Sequence, residues 1–513
     1  MYAIALALSI FGCFTYSSVI ADCDCGSSKS GPGFSSPQVA IERAKREKIL
    51  YVPCISLNPA NPDYLSVVDA DPTSPNFSEV ISRLYFPVQT VRDELHHFGW
   101  NTCSACHHDK TAVRNKLIFP CLNSDRVYIV DTSDERQPRH YKTIEPEELH
   151  NLGLSSPHTT HCIPTGEVMV STMGDGPAGN GQGQFPNDRW EKQFYRQWCA
   201  IYSDFNTPFG YDFWYQPYFD VMISTEWGAP KKFKGGINLD DLAEYYGHTI
   251  HVWSWDKREY IKPIDLGTAN GWLPLETRFL HDPYQPHGYV ACALSSTVFH
   301  INKNSGDWNA DLVITIPPKK VENWWMGLAD MPGVITDILI SMDDRFLYLS
   351  NWVHGDIRQY DISNPAAPEL VGQVFIGGSI VKGGPVNVVN DTELICQPDP
   401  LYVKGVRIEG GPQMLQLSID GKRLYVTTSL FSPWDKQFYP ELYNKGACLL
   451  QIDVNNRRGG MKVNKNFLVN YGDEPNGPVL AHEIRWPGID SSSDIFPPRG
   501  RWNDDLKGCC KHV

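Results

Sequence analysis

The sequence predicts an all-β fold, a β-propeller of about seven blades with short helical insertions, and three observations carry that prediction. A short apolar run ending in aspartate and a turn recurs along the chain. A Ser-x-Asp turn feeds some of these runs, and helical patterning is weak almost everywhere.

The recurring run is first met at Tyr64-Leu-Ser-Val-Val-Asp69 and again at Arg126-Val-Tyr-Ile-Val-Asp131. It returns at Ile250-His-Val-Trp-Ser-Trp-Asp256, Ile357-Arg-Gln-Tyr-Asp361 and Leu449-Leu-Gln-Ile-Asp453. Each reads as a strand, an aspartate that opens a tight turn, and a following strand. The second unit, Ser341-Met-Asp-Asp-Arg-Phe-Leu-Tyr-Leu-Ser350, is matched by Ser418-Ile-Asp-Gly-Lys-Arg-Leu-Tyr-Val-Thr427. There Asp-Asp or Asp-Gly makes the hairpin turn, and alternating apolar residues form the next strand. Gly and Pro are spread along the whole chain, as many short strands require. Helix is expected only in short segments such as residues 36–48 and 238–246. At roughly 60 residues per blade, residues 22–513 supply about seven blades, with insertions, as a single domain. A two-layer sandwich accounts for the repeated Asp-turn units less well.

The 513 residues carry a formal net charge of −14, which argues against a nucleic-acid backbone or an anionic membrane surface as partner. Residues 1–21 stand apart. Their apolar run, about a dozen residues long, is too short to span a bilayer. It leads to Val19-Ile20-Ala21 and then polar Asp22, which reads as a secretory signal peptide without its usual basic start. No later stretch suggests a membrane span. Asn76-Phe-Ser78 and Asn390-Asp-Thr392 are glycosylation sequons that an exported chain could use. The 14 cysteines do not form a disulfide framework. Cys23, Cys25, Cys509 and Cys510 could staple the termini, while Cys54, Cys292 and Cys448 read as buried free thiols.

Sixteen histidines are present, several of them in loops with Trp, Gly and Asn. They fall in Glu94-Leu-His-His97-Phe-Gly-Trp100, Pro157-His-Thr-Thr-His161, Phe279-Leu-His281-Asp, Asn351-Trp-Val-His354-Gly-Asp356 and Ala481-His482-Glu483. In a propeller, one imidazole from each of several blades can meet in the channel without any local motif. Such a set, without clustered carboxylates, leans toward copper or iron. Cys103-x-x-Cys106 beside His107-His108 could be a zinc or redox cluster, but it lacks a second ligand pair, and a surface loop is the plainer reading. His140, His150, His287, His300 and His512 are assigned no chemistry. There is no nucleophile elbow, phosphate loop or dinucleotide fingerprint. The glycine-rich stretch 174–183 reads as a mobile loop.

Several of these stretches, taken whole, resemble the selenium-binding protein, or methanethiol oxidase, family. They are Asp93-Glu-Leu-His-His-Phe-Gly-Trp-Asn-Thr-Cys-Ser-Ala-Cys106, Gly210-Tyr-Asp-Phe-Trp-Tyr-Gln-Pro217, Met222-Ile-Ser-Thr-Glu-Trp227, Asn351-Trp-Val-His-Gly-Asp356, Gly377-Gly-Ser-Ile-Val-Lys-Gly-Gly-Pro385 and Trp434-Asp-Lys-Gln-Phe-Tyr439. The resemblance runs from about Cys25 to Ile495. It implies a propeller that oxidises methanethiol with O2 and water to formaldehyde, hydrogen sulfide and hydrogen peroxide at a copper centre. Some of His97, His158, His161, His281, His354 and His482 would hold the copper, and Glu226 or Asp337 would accept a proton. Selenium is a second implied ligand. Ser78, however, stands where some animal relatives carry the cysteine proposed to bind it. The familiar members are largely cytosolic, so the leader is a further departure. Two other functions stay open: a non-enzymatic propeller that binds selenium, metal or protein partners, and a four-histidine iron dioxygenase.

Overall fold

The computed structural model describes residues 30–87, 90–184, 187–188, 198–199 and 207–498. The expected leader and the terminal Cys23, Cys25, Cys509 and Cys510 lie outside them. Among the described residues the chain is mostly β, arranged in small antiparallel sheets with a few short helices.

Seven sheets have four strands or more. The first pairs Ile49–Ser56, Tyr64–Asp69 and Val80–Tyr85, and Val479–Ala481 from far down the chain completes it. The second runs Gly99–Trp100, Lys116–Pro120, Val127–Asp131, Arg139–Ile144. The third is built on Ser155–Cys162 and Val168–Gly174. The fourth, fifth, sixth and seventh open with Phe213–Gln216, Pro274–Phe279, Ile335–Ile340 and Leu415–Leu417 respectively, each sheet then meandering outward. Two smaller sheets, around Lys319–Glu322 and Tyr402–Val403, are added outside this series.

The Ser-x-Asp units fold alike. Ser341 Oγ donates to Asp343 (2.5 Å) and accepts from Phe346 N (2.9 Å); Ser418 Oγ donates to Asp420 (2.7 Å) and accepts from Arg423 N (3.0 Å). One hydroxyl thus closes the turn and starts the strand. The turn needs a left-handed residue, supplied by Asp344 (φ 57°) in one and Gly421 (φ 67°) in the other.

Each sheet packs on the next. Tyr51, Leu65, Phe119 and Tyr128 join the first sheet to the second, and Ile118, Ile129, Val168 and Val170 the second to the third. Leu339, Tyr348, Leu424 and Leu450 join the sixth to the seventh. Leu449, Phe467 and Val469 of the seventh pack with Leu50, Val52 and Leu480 of the first. Burying each of these side chains contributes about 1.5–3 kcal/mol, so the sheet-to-sheet seams carry most of the fold. Opening strands of neighbouring sheets touch one another, Gly99–Trp100 with Ser155–Cys162 and Pro274–Phe279 with Ile335–Ile340. Polar residues on opening strands therefore share one interior.

Helix appears where expected at Pro37–Arg43, capped by Ser36 Oγ on Val39 N, and at Leu242–Tyr245 after a 3-10 turn. Four more among the described residues, Pro146–His150, Pro230–Phe233, Ser432–Phe438 and Pro440–Lys445, are not legible in the pattern; each is short, with proline in its first turn. No helix of the described residues is long and apolar enough to cross a membrane.

Candidate metal centre

Four histidines meet where the first, second and third sheets come together. His96 and His97 lie in the loop before Gly99–Trp100, His158 on Ser155–Cys162, and His482 just past Val479–Ala481. The His96 and His482 rings stack at 3.8 Å between centroids, and His97 and His158 are 4.1 Å apart. Ligand atoms of His96, His97 and His482 all lie within 4.8 Å of one another.

The loop bearing His96 and His97 is pinned from outside itself. Glu94, at φ 55°, accepts from Ser432 N (2.9 Å), Leu95 N donates to Asp63 (3.3 Å), and Phe98 N donates to Glu483 (2.7 Å). Gly99 lets this loop lie against the strand of His158. A Cβ there would sit 2.4 Å from Thr160 O, forcing the two histidine-bearing segments apart. The same segments are covalently joined by a Cys103–Cys162 disulfide. That corrects the expectation of a surface loop at Cys103-x-x-Cys106: the segment is buried, Cys103 is in the cross-link, and Cys106 stays a free thiol beside it. Cys54, Cys292 and Cys448 are free and buried as read from sequence.

The donor set fits a metal. The Nε2 atoms of His96, His97, His158 and His482 are all buried and have no hydrogen-bond partner. His482 donates its Nδ1 proton to Ser429 O (3.0 Å), leaving the Nε2 lone pair free to ligate. Burial drives every one of these rings toward the neutral form: His158 falls to about 3, His482 to about 4, and His96 and His97 go well below the usual value. Converging neutral imidazoles are the ligands of first-row transition metals.

A charged cluster lies beside them on the opening strands. Arg278 is buried and binds Asp212 and Glu276, each at 2.6 Å. Glu276 Oε1 is 3.8 Å from His97 Nε2, and Glu483 Oε2 is 3.6 Å from His97 Nδ1. Desolvation raises Glu276 well above the carboxylate range and Glu483 to about 7, while Arg278 helps to hold Asp212 low against its own burial.

Of the residues expected at the site, His97, His158 and His482 are brought together. His96, not among the expected ligands, joins them; its place next to His97 in the same motif is the signal that could find it. The other three sit apart. His161 packs against Phe213 and Trp214, within electrostatic reach of Asp212 and Arg278. His281 has both ring nitrogens engaged, by Asp344 (3.1 Å) and Ser491 O (2.9 Å). His354 bonds Met331 O (3.0 Å) beside Asn351 and Gly333. Glu226 is held by His251 (2.9 Å) and Thr249 N (3.1 Å). Asp337 joins the charged cluster, accepting from Leu415 N (2.7 Å) and lying 3.9 Å from Arg278. Ser78 is buried, with Lys404 donating to its hydroxyl.

Burial pushes the Asp337 carboxyl up to about 7 against the pull of Arg278. The folded state therefore keeps a proton that the unfolded chain releases at an ordinary carboxylate value, and stability falls as pH rises through that window. Asp337→Asn cannot ionise. Relative to the parent, its melting temperature is expected to rise by about 3 °C between about pH 4 and about pH 8. Calorimetry at both pH values checks this, and a flat difference would place the titration on another group.

The sequence matches the family described as 56kDa selenium binding protein (SBP56) over residues 28–497. It is 56% identical over 478 residues to a methanethiol oxidase of Xenopus laevis, covering 92% of this chain and 99% of that one. It is 53% identical over 483 residues to selenium-binding protein 2 of Mus musculus, covering 91% and 98%. Among solved structures, a hypothetical selenium-binding protein from Sulfolobus tokodaii superposes with a TM-score of 0.76 at 35% identity, covering 91% of this chain and 99% of the other. With its sequence matched nearly end to end and its fold shared at that level, the chain belongs to the 56kDa selenium binding protein family.

Proposed function

We propose that the protein is a copper-dependent methanethiol oxidase, converting methanethiol, O2 and water to formaldehyde, hydrogen sulfide and hydrogen peroxide. The observation that carries this reading is the cluster of His96, His97 and His482, whose ligand atoms lie within 4.8 Å of one another, with His158 packed beside them and the Nε2 of all four buried without a hydrogen-bond partner. The naming of relatives as methanethiol oxidase supports it. The seven sheets, each packed on the next and the last on the first, support reading them as the blades of a propeller.

His96, His97, His158 and His482 would hold the copper, which when bound supplies the redox chemistry linking the thiol to O2. The remaining groups position and protect. Tyr211, its ring 4.0 Å from that of His158, is buried and walls the site from bulk water. Asp337 is the better placed of the two expected proton acceptors, because its Oδ1 is unpartnered while Glu226 is committed to His251. Glu276 stands nearer to the histidines and joins it as a candidate that the sequence did not single out.

Elemental analysis of the purified protein, paired with an oxygen electrode and methanethiol, tests the reading. Stoichiometric copper with thiol-dependent O2 uptake supports it. A protein that stays copper-free after reconstitution and is silent toward methanethiol overturns it, in favour of a selenium- or metal-binding role.

We propose also that the chain is exported after loss of residues 1–21. The Cys103–Cys162 disulfide suits an oxidising compartment, and both sequon asparagines, Asn76 and Asn390, are exposed. The mature protein is expected to begin near Asp22 and to gain mobility on glycosidase treatment. Cytosolic protein beginning at Met1 would remove this proposal.

A further inference from the structure

Two neighbouring cavities share part of their lining, and the inner one reaches Tyr211, which packs on the histidines. The inner one offers about 20 Å3 to the centre of a water-sized sphere, room for one or two heavy atoms. Its walls are almost wholly apolar and include Tyr211, Trp227, Leu275, Leu430 and Trp434. Tyr211, one of its walls, also lies against the metal centre, its ring 4.0 Å from that of His158 and 6.1 Å from that of His97. The outer cavity, about 320 Å3 on the same measure, is lined by Trp325, Val381, Val386, Tyr439 and Leu442, and its Trp325 is 48% exposed. Trp324 and Phe438 line both cavities.

A chain of neighbouring aromatic rings joins the lining of the outer cavity to that of the inner one. Trp325 meets Phe438 at 5.0 Å, Phe438 stacks with Trp434 at 6.2 Å, Trp434 meets Trp227 at 5.5 Å, and Trp227 meets Tyr211 at 5.6 Å. Trp324 keeps its Nε1 buried and unpartnered. A wall of this kind admits a small apolar molecule and gives water few partners.

We propose that Trp324 and Phe438 form a size-selective gate on an apolar passage leading from the surface to the histidines, and that the chamber behind them restricts the enzyme to the smallest alkyl thiols. This inference deepens the oxidase reading and rests on it for the identity of the substrate. Methanethiol has two heavy atoms and fits the chamber. Each added methylene must displace Trp227, Leu275 or Trp434, and one misplaced methylene in an apolar pocket costs about 10–200-fold in specificity.

The test compares methanethiol, ethanethiol and 1-propanethiol on copper-loaded wild type, Phe438→Ala and Trp324→Leu. Two readouts are taken: kcat/KM, and the rate at which each thiol bleaches the copper(II) electron paramagnetic resonance signal. The second needs access but not turnover. In wild type both rates are expected to fall at least about tenfold from methanethiol to 1-propanethiol, and either substitution should recover most of that loss. Bleaching rates independent of thiol size, or a size dependence untouched by both substitutions, overturn the gate. Size-dependent bleaching without any turnover would leave the gate standing and remove the oxidase reading instead.

Discussion

Alanine at His96 is expected to strip the protein of copper and to lower methanethiol turnover by at least about a hundredfold. Removing a partner one shell further out already costs about 10–100-fold in metal affinity or activity, and a ligand carries more. His96 is the informative choice because its ring lies flat against that of His482, so its loss opens one whole side of the cluster. His354→Ala is the contrast. That ring is bonded to Met331 O and faces Asn351 and Gly333, so copper content should be unchanged while the fold loses some stability. Elemental analysis, O2 uptake and melting with and without copper separate the two variants. Copper raises the melting temperature of any variant that still binds it. Equal copper loss in both would move the centre elsewhere.

Arg278→Met is expected to destabilise the fold by about 3–5 kcal/mol, the usual cost of leaving buried charge without its partner. Asp212, Glu276 and Asp337 all depend on that guanidinium, directly or at 3.9 Å, and all three are sealed from solvent. Methionine preserves the volume, so the loss reports charge rather than a hole. Adding Asp212→Asn to Arg278→Met should recover part of the loss by removing one orphaned anion. Denaturant titration of the two single variants and the double completes the cycle, and a simple sum of the single effects would refute direct coupling.

Much of the architecture was legible because the signal is local. The Ser-x-Asp unit can be read because one hydroxyl bonds two positions within five residues, and it does so identically at Ser341 and Ser418. The metal centre is not local. His97 and His158 come from different sheets and His482 from hundreds of residues further on, and nothing near any one of them distinguishes it from His281 or His354, which sit in loops of similar composition. His281 differs in having both ring nitrogens engaged, one of them by Asp344 from the following sheet, whereas His354 keeps a free Nδ1 and differs only in its place, beside Met331 and away from the other imidazoles. His158 and His161 illustrate the same limit. Three residues apart on a strand, they point to different neighbours, one toward Tyr211 and the other toward Trp214. The Ser432–Phe438 helix escaped notice because a single apolar turn, Trp434 and Phe438 inward, is too short to establish a period.

Val479–Ala481 closes the first sheet with residues made late in synthesis, and His482 follows directly. As the chain leaves the ribosome, His96, His97 and His158 emerge in its first third, and six of the seven sheets come out complete in chain order. The fourth imidazole arrives only when that last strand docks against Ile49–Ser56. A nascent or truncated chain therefore has no finished site in which to trap a reactive metal. Any metal held by the four imidazoles would then be loaded after folding, with the docking of one three-residue strand as the step that completes its site.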